Sequence, residues 1–484
     1  MCMKSLIGRK SLQVLTLMTF VHLAQFASGA ENRLNVLMLV SDDLANRLGC
    51  YGDKLVQSPN IDALANKGVR FDKAYCQFPL CNPSRASFLT GLRPDSTKVY
   101  ENSTQFRKNI PEAVSLPQTF QKAGYYVSRV GKLYHYGVPG GIGTAGLDDP
   151  PSWQETINPR GRDKDEEADV INFTAKTGLG SAISWLKTGG DGMDHTDGKV
   201  ADGVIGMIEK AKEKPFFIAG GFYRPHVPCI AAEPFFKIYD GQAFPIPSAK
   251  PVGLEQVPPV AFFIKTPNYG LTDADLSTFT KAYYASISQM DFHVGRVLRR
   301  LEELNLADRT VVVFASDHGY LLGEHGGQWM KMSLFEQSAR VPLVIYAPGR
   351  KGNGKASSRT VELVDLHATL AELCNVPVPK TDGESLVPLL DDPQKAWNHP
   401  AYTQVTRTVN DRNMPAVKKK ESSAREIMGR SVRTEQFRYT EWDNGKAGVE
   451  LYDHQSDPGE NSNLASDPAF INQRELLKRL LGGI

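Results

Sequence analysis

Two short apolar runs, residues 35–40 and 310–315, end directly in polar clusters: Ser41-Asp42-Asp43 after the first and Ser316-Asp317-His318 after the second. Runs of this length, bounded by polar residues, read as buried strands. Further strands are expected over 214–220 and 341–347. Helical segments lie between them. Ser58-Pro59 opens one, with a capping residue and a proline at the first helical position; Ile61, Leu64 and Ala65 share a face, and Gly68 closes it. A long amphipathic helix carries Ile287, Met290, Val294, Val297, Leu298 and Leu301 on its apolar side. Strands that alternate with helices build an α/β fold around a mostly parallel sheet covered on both faces. Ligands of such sheets bind beyond the carboxyl ends of the strands. Counting along the runs puts Asp42, Asp43, Asp317 and His318 there.

Three carboxylates at neighbouring strand ends raise one another's pKa unless a cation compensates them. Hard carboxylate oxygens suit calcium or magnesium. His318 is a poor ligand for calcium, which leaves it a hydrogen-bonding role or a different metal.

The chain of 484 residues accommodates one large α/β unit, expected over 31–394, and a small α+β subdomain over 395–484. In the latter the texture changes to short strands such as 431–442, with turns at Asp443-Asn444-Gly445 and Asp457-Pro458-Gly459. Residues 1–30 read as a signal peptide: Lys4, Arg9 and Lys10 precede an apolar stretch, and Ala27-Ser28-Gly29-Ala30 offers a small-residue cleavage site. The expectation is export to a periplasmic, extracellular or lysosomal compartment, with no stable membrane insertion. Net charge is +2, and no long basic run exists beyond Lys418–Lys420, so a nucleic-acid partner is not expected. An anionic substrate must then be met by a local basic pocket. Cys50, Cys76, Cys81, Cys229 and Cys374 remain after removal of the signal peptide, an odd number that singles out one of them.

Cys81-Asn82-Pro83-Ser84-Arg85, followed after three residues by Leu89-Thr90-Gly91, resembles the signature of the formylglycine-dependent sulfatases at every fixed position. The resemblance implies an alkaline-phosphatase-like fold and oxidation of Cys81 to formylglycine by a formylglycine-generating or radical maturase enzyme. It also implies sulfate-ester hydrolysis by the hydrated aldehyde. Residues after Cys81 are expected to start a helix whose positive end favours an anion, with Arg85 holding the aldehyde and nearby carboxylates. In the family, positions matching Asp42, Asp43, Asp317 and His318 bind calcium together with the formylglycine oxygen. Gly131-Lys132-Leu133-Tyr134-His135 is similar to the second signature, although Val127 departs from it. Lys132 then binds sulfate, and His135 takes the proton that releases sulfate. Arg224-Pro225-His226 follows a strand and places a leaving-group acid at His226; histidine suits that work because it titrates near neutrality. Lys331 matches a second sulfate-binding lysine. His325 is expected to be structural, and His293 and His367 to be core or surface groups on helices.

Further stretches, including Leu48-Gly49-Cys50-Tyr51-Gly52-Asp53 and Met428-Gly429-Arg430-Ser431, look most like the iduronate-2-sulfatase branch. That likeness implies the 2-O-sulfate of a uronic acid in a sulfated glycosaminoglycan. Sulfatases of algal galactans, phosphonate hydrolases and a catalytically silent glycan-binding protein are the alternatives. Specificity resides in loops such as 138–200, which motif matching does not read.

Overall fold

The computed structural model describes residues 33–248, 250, 253–410 and 424–482; the expected signal peptide and Lys418–Lys420 lie outside the described residues. Its centre is β1 (Asn35–Asp42), every residue of which is buried. Alternation sends Leu37 and Leu39 to one face of the sheet and Val36, Met38 and Val40 to the other, as a strand's period of two requires. Both faces are apolar because both are covered. Burying each of these side chains stabilises the fold by roughly 1.5–3 kcal/mol.

In chain order the sheet-building elements are α1 (Pro59–Lys67), β2 (Val69–Tyr75), α2 (Cys81–Thr90), β3 (Tyr126–Gly131), β4 (Glu155–Ile157), α3 (Thr196–Ala211), β5 (Phe216–Pro225), α4 (Asp273–Glu303), β6 (Thr310–Ser316), β7 (Arg340–Val341), β8 (Leu343–Tyr346) and β9 (Ala356–Glu362). They form a nine-stranded sheet of order β7-β2-β8-β6-β1-β5-β3-β4, with β9 paired to β2. The run β6-β1-β5-β3-β4 is parallel throughout. β2 lies antiparallel to β7 and β8, and β8 antiparallel to β6. The α/β architecture is therefore as the sequence predicts, with a mixed edge that it did not foresee. The expected strand 341–347 is divided at Pro342, which has no N–H to give to a ladder. The strand expected over 214–220 runs on to Pro225, which carries the chain to the strand's carboxyl end. Ser58 does precede α1, but its hydroxyl accepts from Gly49 N (3.0 Å) and reaches Asp62 (3.2 Å) instead of capping the helix.

A second, antiparallel sheet of four strands comprises Ala401–Asn410, Ala424–Arg433, Phe437–Trp442 and Gly448–Asp453. Leu477 and Leu481 of the terminal helix Ile471–Leu481 pack on Val432, Tyr439 and Leu451 of this sheet. Thr403 Oγ1 donates to Cys76 O at 2.8 Å and Gln404 N to Gln77 O at 2.9 Å, a few residues before Cys81. The small sheet is thus bonded to the segment that delivers the central helix. The five described cysteines are all unpaired. Among the described residues no helix is long and apolar enough to cross a membrane.

Candidate active site

The site is assembled where β1 and β6 end and α2 begins. β1 pairs in register with β6 as far as Ser41 and Ser316, so the acidic residues that follow emerge side by side. Asp43 then turns sharply, with φ of +62°, a left-handed conformation that aspartate tolerates better than most residues. Tyr283 Oη holds this turn by donating to Asp43 O (2.7 Å) and accepting from Ala45 N (2.9 Å). The helix expected after Cys81 is α2; it begins at Cys81 itself, and all of it is buried.

Arg85, one turn into α2 and fully buried, joins the parts. Its Nε donates to Asp317 Oδ2 at 2.9 Å and its Nη2 to Asp42 Oδ1 at 3.3 Å. Its Nη1 donates to the carbonyls of Lys132 and Leu133. Lys132 reaches Asp42 Oδ2 at 2.6 Å, while Lys331 reaches Asp43 Oδ1 at 2.5 Å and Cys81 Sγ at 3.3 Å. His318 Nε2 lies 3.4 Å from Cys81 Sγ and 3.3 Å from Asp43 Oδ1. Its Nδ1–H donates to Gly319 O at 2.9 Å; burial opposes a charge on the ring, but Asp317, Cys81 and Asp43 raise it to about 9, so it faces them as a cation. His226 Nε2 stands 3.7 Å from Asp43 Oδ2. The Cys81 thiol occupies the place at which the oxygens of a matured residue would stand. All the residues expected at the site, including His135 at the mouth of its cavity, are therefore brought together.

The charges of this cluster do not balance on their own. Burial and the neighbouring Cys81 push the Asp42 carboxyl up, but Lys132, His226 and Arg85 hold it well below the usual carboxylate range. Asp317 has fewer cations beside it, and burial with two anionic neighbours raises it to about 7. Burial works against ionisation of Cys81, yet Lys132, Lys331 and His318 pull the thiol far below its ordinary value. Asp43 Oδ2 is buried and has no hydrogen-bond partner. An unpartnered buried carboxylate oxygen, grouped with the Asp42 carboxylate that is itself grouped with Asp317, suits a hard divalent cation. Ligand atoms of Asp42, Cys81, Asp317 and His318 lie within 4.8 Å of one another, and those of Asp42, Asp43, Cys81 and His226 form a second such group. The residues present fit a divalent cation. Stripping the protein with EGTA and EDTA is expected to lower its thermal unfolding midpoint, and the readdition of cation to restore it. At a hundredfold excess over Kd the bound cation contributes about 2.7 kcal/mol; an unfolding curve indifferent to chelator and cation would remove the metal from this site.

The sulfatase family description matches residues 34–376, which span the central sheet and every one of these side chains. The chain belongs to the sulfatase family. A second description, the C-terminal region of N-sulphoglucosamine sulphohydrolase, matches residues 323–483. Human iduronate 2-sulfatase is 32% identical, covering 91% of this chain and 92% of that protein. A sulfatase of Formosa agariphila is 30% identical over 92% of this chain and 86% of its own. Among solved structures, the phosphonate monoester hydrolase of Agrobacterium radiobacter superposes with a TM-score of 0.73 at 24% identity, covering 93% and 95% of the two chains, a likeness of fold. The protein is a sulfatase, a hydrolase of sulfate esters.

The sulfatase site also depends on Asp163 and Asp197, which no motif singled out. Arg224 and Asp163, both buried, pair at 2.6 Å. Arg224 Nη1 donates to the carbonyls of His226 (3.1 Å) and Pro228 (2.7 Å), and Asp197 accepts from the backbone N–H groups of Tyr223 and Arg224. This framework sets the loop that presents His226. Asp163 and Asp197 come from the loop and helix start that motif reading left unassigned. Gly131 and Gly221 matter for a different reason. A Cβ on Gly221 would stand 2.1 Å from Lys132 O, so only glycine lets β5 pass this close to the lysine's backbone. Of the remaining histidines, His325 stacks on Phe335 with centroids 3.8 Å apart, His367 meets Thr119 Oγ1 at 2.9 Å and His293 is buried in α4; His293 and His367 are both core groups.

Proposed function

We propose that this sulfatase removes the 2-O-sulfate of a uronic acid from a sulfated oligosaccharide or glycosaminoglycan, with Cys81 matured to formylglycine and calcium held by Asp42, Asp43, Asp317 and His318. The observation that carries this reading is Cys81 itself: a buried residue at a helix start, within 3.3 Å of Lys331 Nζ and 3.4 Å of His318, beside a carboxylate cluster in need of a cation. The 32% identity with human iduronate 2-sulfatase over nearly all of both chains supports the choice of sugar.

A formylglycine hydrate at position 81 supplies two geminal hydroxyls, one to attack sulfur and one whose deprotonation expels sulfate and restores the aldehyde. The chain's own groups do the rest. Lys132 and Lys331 place two cations at the nucleophile, where they neutralise the sulfate oxygens that would otherwise repel attack. Arg85 fixes Asp42 and Asp317 relative to α2. His226 Nδ1–H donates to the Val227 carbonyl at 2.7 Å, so it is the imidazolium form, with a second proton on Nε2, that can protonate the departing alcohol. Burial, the largest influence on His135, keeps that imidazole below its ordinary value and so neutral at physiological pH, ready to accept a proton.

Export is proposed from residues 1–30, and a formylglycine-generating or radical maturase enzyme is the proposed partner. Catalysis is assigned to residues 31–394, with 395–484 as a separate C-terminal unit. The test is sulfate release by the matured protein from a 2-O-sulfated iduronate, a 6-O-sulfated glucosamine, a galactose sulfate and an aryl sulfate. Release from the uronate alone supports the reading; release from the galactose sulfate alone replaces the sugar with an algal galactan. His226→Ala is expected to slow esters of poor leaving groups by roughly 10²-fold or more while slowing aryl sulfates much less. Equal loss on both would take His226 out of the acid role.

A further inference from the structure

The cavity over the site measures about 930 Å³, and its walls include His135, His226 and Lys331. Its charge pattern is uneven. The one carboxylate among its lining residues, Glu167, is paired with Lys164, and Lys331 is paired with Asp43. Lys265 also lines the cavity, is exposed, and has no hydrogen bond or ion pair among the described residues. It is the only lysine or arginine in that wall without a carboxylate. Two positions away, Phe263 is 43% exposed and is the sole large exposed hydrophobic side chain that lines the cavity among the described residues.

This part of the wall is held in place. The Arg407 guanidinium lies 5.3 Å from the Phe263 ring centroid and 5.2 Å from that of Trp442. Arg407 also donates to the carbonyls of Val260 (3.2 Å), Ala261 (3.4 Å) and Met332, bridging the wall to the residue after Lys331. An exposed phenyl ring anchored in this way is a platform for the apolar face of a pyranose. Ile264 and Lys265 line a neighbouring cavity of about 420 Å³ as well, and no carboxylate faces that cavity among its lining residues. The free ammonium thus stands on a ridge between two spaces that both lack unpaired negative charge.

We infer that Phe263 and Lys265 form the wall that selects an acidic sugar, the ring stacking on Phe263 and an anionic substituent other than the sulfate being cleaved pairing with Lys265. The inference rests on the reading of this cavity as a sulfate-ester site. On that reading the sulfate falls to Lys132 and Lys331, which stand beside Asp42, Asp43 and Cys81, so the unpaired Lys265 is assigned to a second negative group. That group is a carboxylate or a further sulfate.

The experiment compares kcat/KM for a 2-O-sulfated uronate disaccharide, its carboxyl-reduced counterpart, a neutral galactose sulfate and 4-nitrophenyl sulfate. In Lys265→Met the ratio of acidic disaccharide to aryl sulfate is expected to fall about 10-fold or more, as loss of a charge-assisted hydrogen bond predicts. The change should sit in KM more than in kcat, and Lys265→Arg should recover part of it. If carboxyl reduction abolishes the Lys265→Met effect, the partner is the carboxylate; if the effect persists, it is a second sulfate. A ratio unmoved by Lys265→Met overturns the assignment, as does equal loss on all four esters. Wild-type hydrolysis of the neutral sugar alone also overturns it. Wild-type inactivity towards every ester overturns the sulfate-ester reading and the inference with it.

Discussion

Cys81→Ala lowers turnover of sulfate esters by about 10⁴-fold or more, the loss expected when the nucleophile of a preorganised site is removed. The substitution should leave the fold intact, because alanine is a good helix former at the start of α2 and the deleted sulfur is a single buried atom. Thermal unfolding within a few degrees of wild type would show that lost chemistry, not lost structure, accounts for the effect. The parallel check is chemical. The tryptic peptide 74–85 of active protein should carry an aldehyde at position 81, detected by mass spectrometry. Near-normal turnover by Cys81→Ala, or a thiol throughout fully active protein, would sink the nucleophile assignment and point to a glycan-binding role.

Arg85→Ala is expected to destabilise the protein by about 3–5 kcal/mol, the penalty typical of removing one member of a buried ion pair. The reason is local. Arg85 is fully buried, and without it Asp317 keeps only His318 nearby, at 3.7 Å, while Asp42 keeps Lys132. Two carbonyls, of Lys132 and Leu133, lose their donor as well. Urea unfolding followed by fluorescence would read the shift. Arg85→Lys should recover only part of the loss, because a point-like ammonium does not reproduce the guanidinium's fork. Coincident unfolding curves for wild type and Arg85→Ala would show that the cluster compensates its carboxylates by other means.

The two acidic strand ends illustrate how much the sequence reveals. Asp42 and Asp317 look alike there, each following an apolar run. In the folded protein their environments part: lysine and arginine hold Asp42 ionised, while burial lifts Asp317 to about 7. Strand periodicity predicts where a side chain emerges but carries no information about which cations face it. Lys331 makes the same point from the other direction. Its sequence context suggested a sulfate ligand, but its 2.5 Å contact with Asp43 spans 288 positions of chain. Met330 and Met332, on either side of it, both take positive φ, of +75° and +66°, which no local preference of methionine predicts. Tertiary contacts impose those conformations; Met332 N bonds Pro79 O at 3.0 Å, and its carbonyl accepts from Arg407.

The sequence by itself determined the α/β architecture, the position of the acidic residues at the strand ends, a helix start next to Cys81 and the sulfatase signatures around it. These are local signals: hydrophobic period, capping chemistry, and side chains at fixed spacing along one element. Only the tertiary structure decided the mixed sheet edge, the Arg224–Asp163–Asp197 framework under His226, and the wall that joins Phe263 and Lys265 to Arg407 of the second sheet. Those arrangements bring together residues from distant parts of the chain, and buried polar pairs of that kind leave no periodic trace in sequence. They are specified by the requirement that each charge and donor taken from water finds a partner in the folded protein.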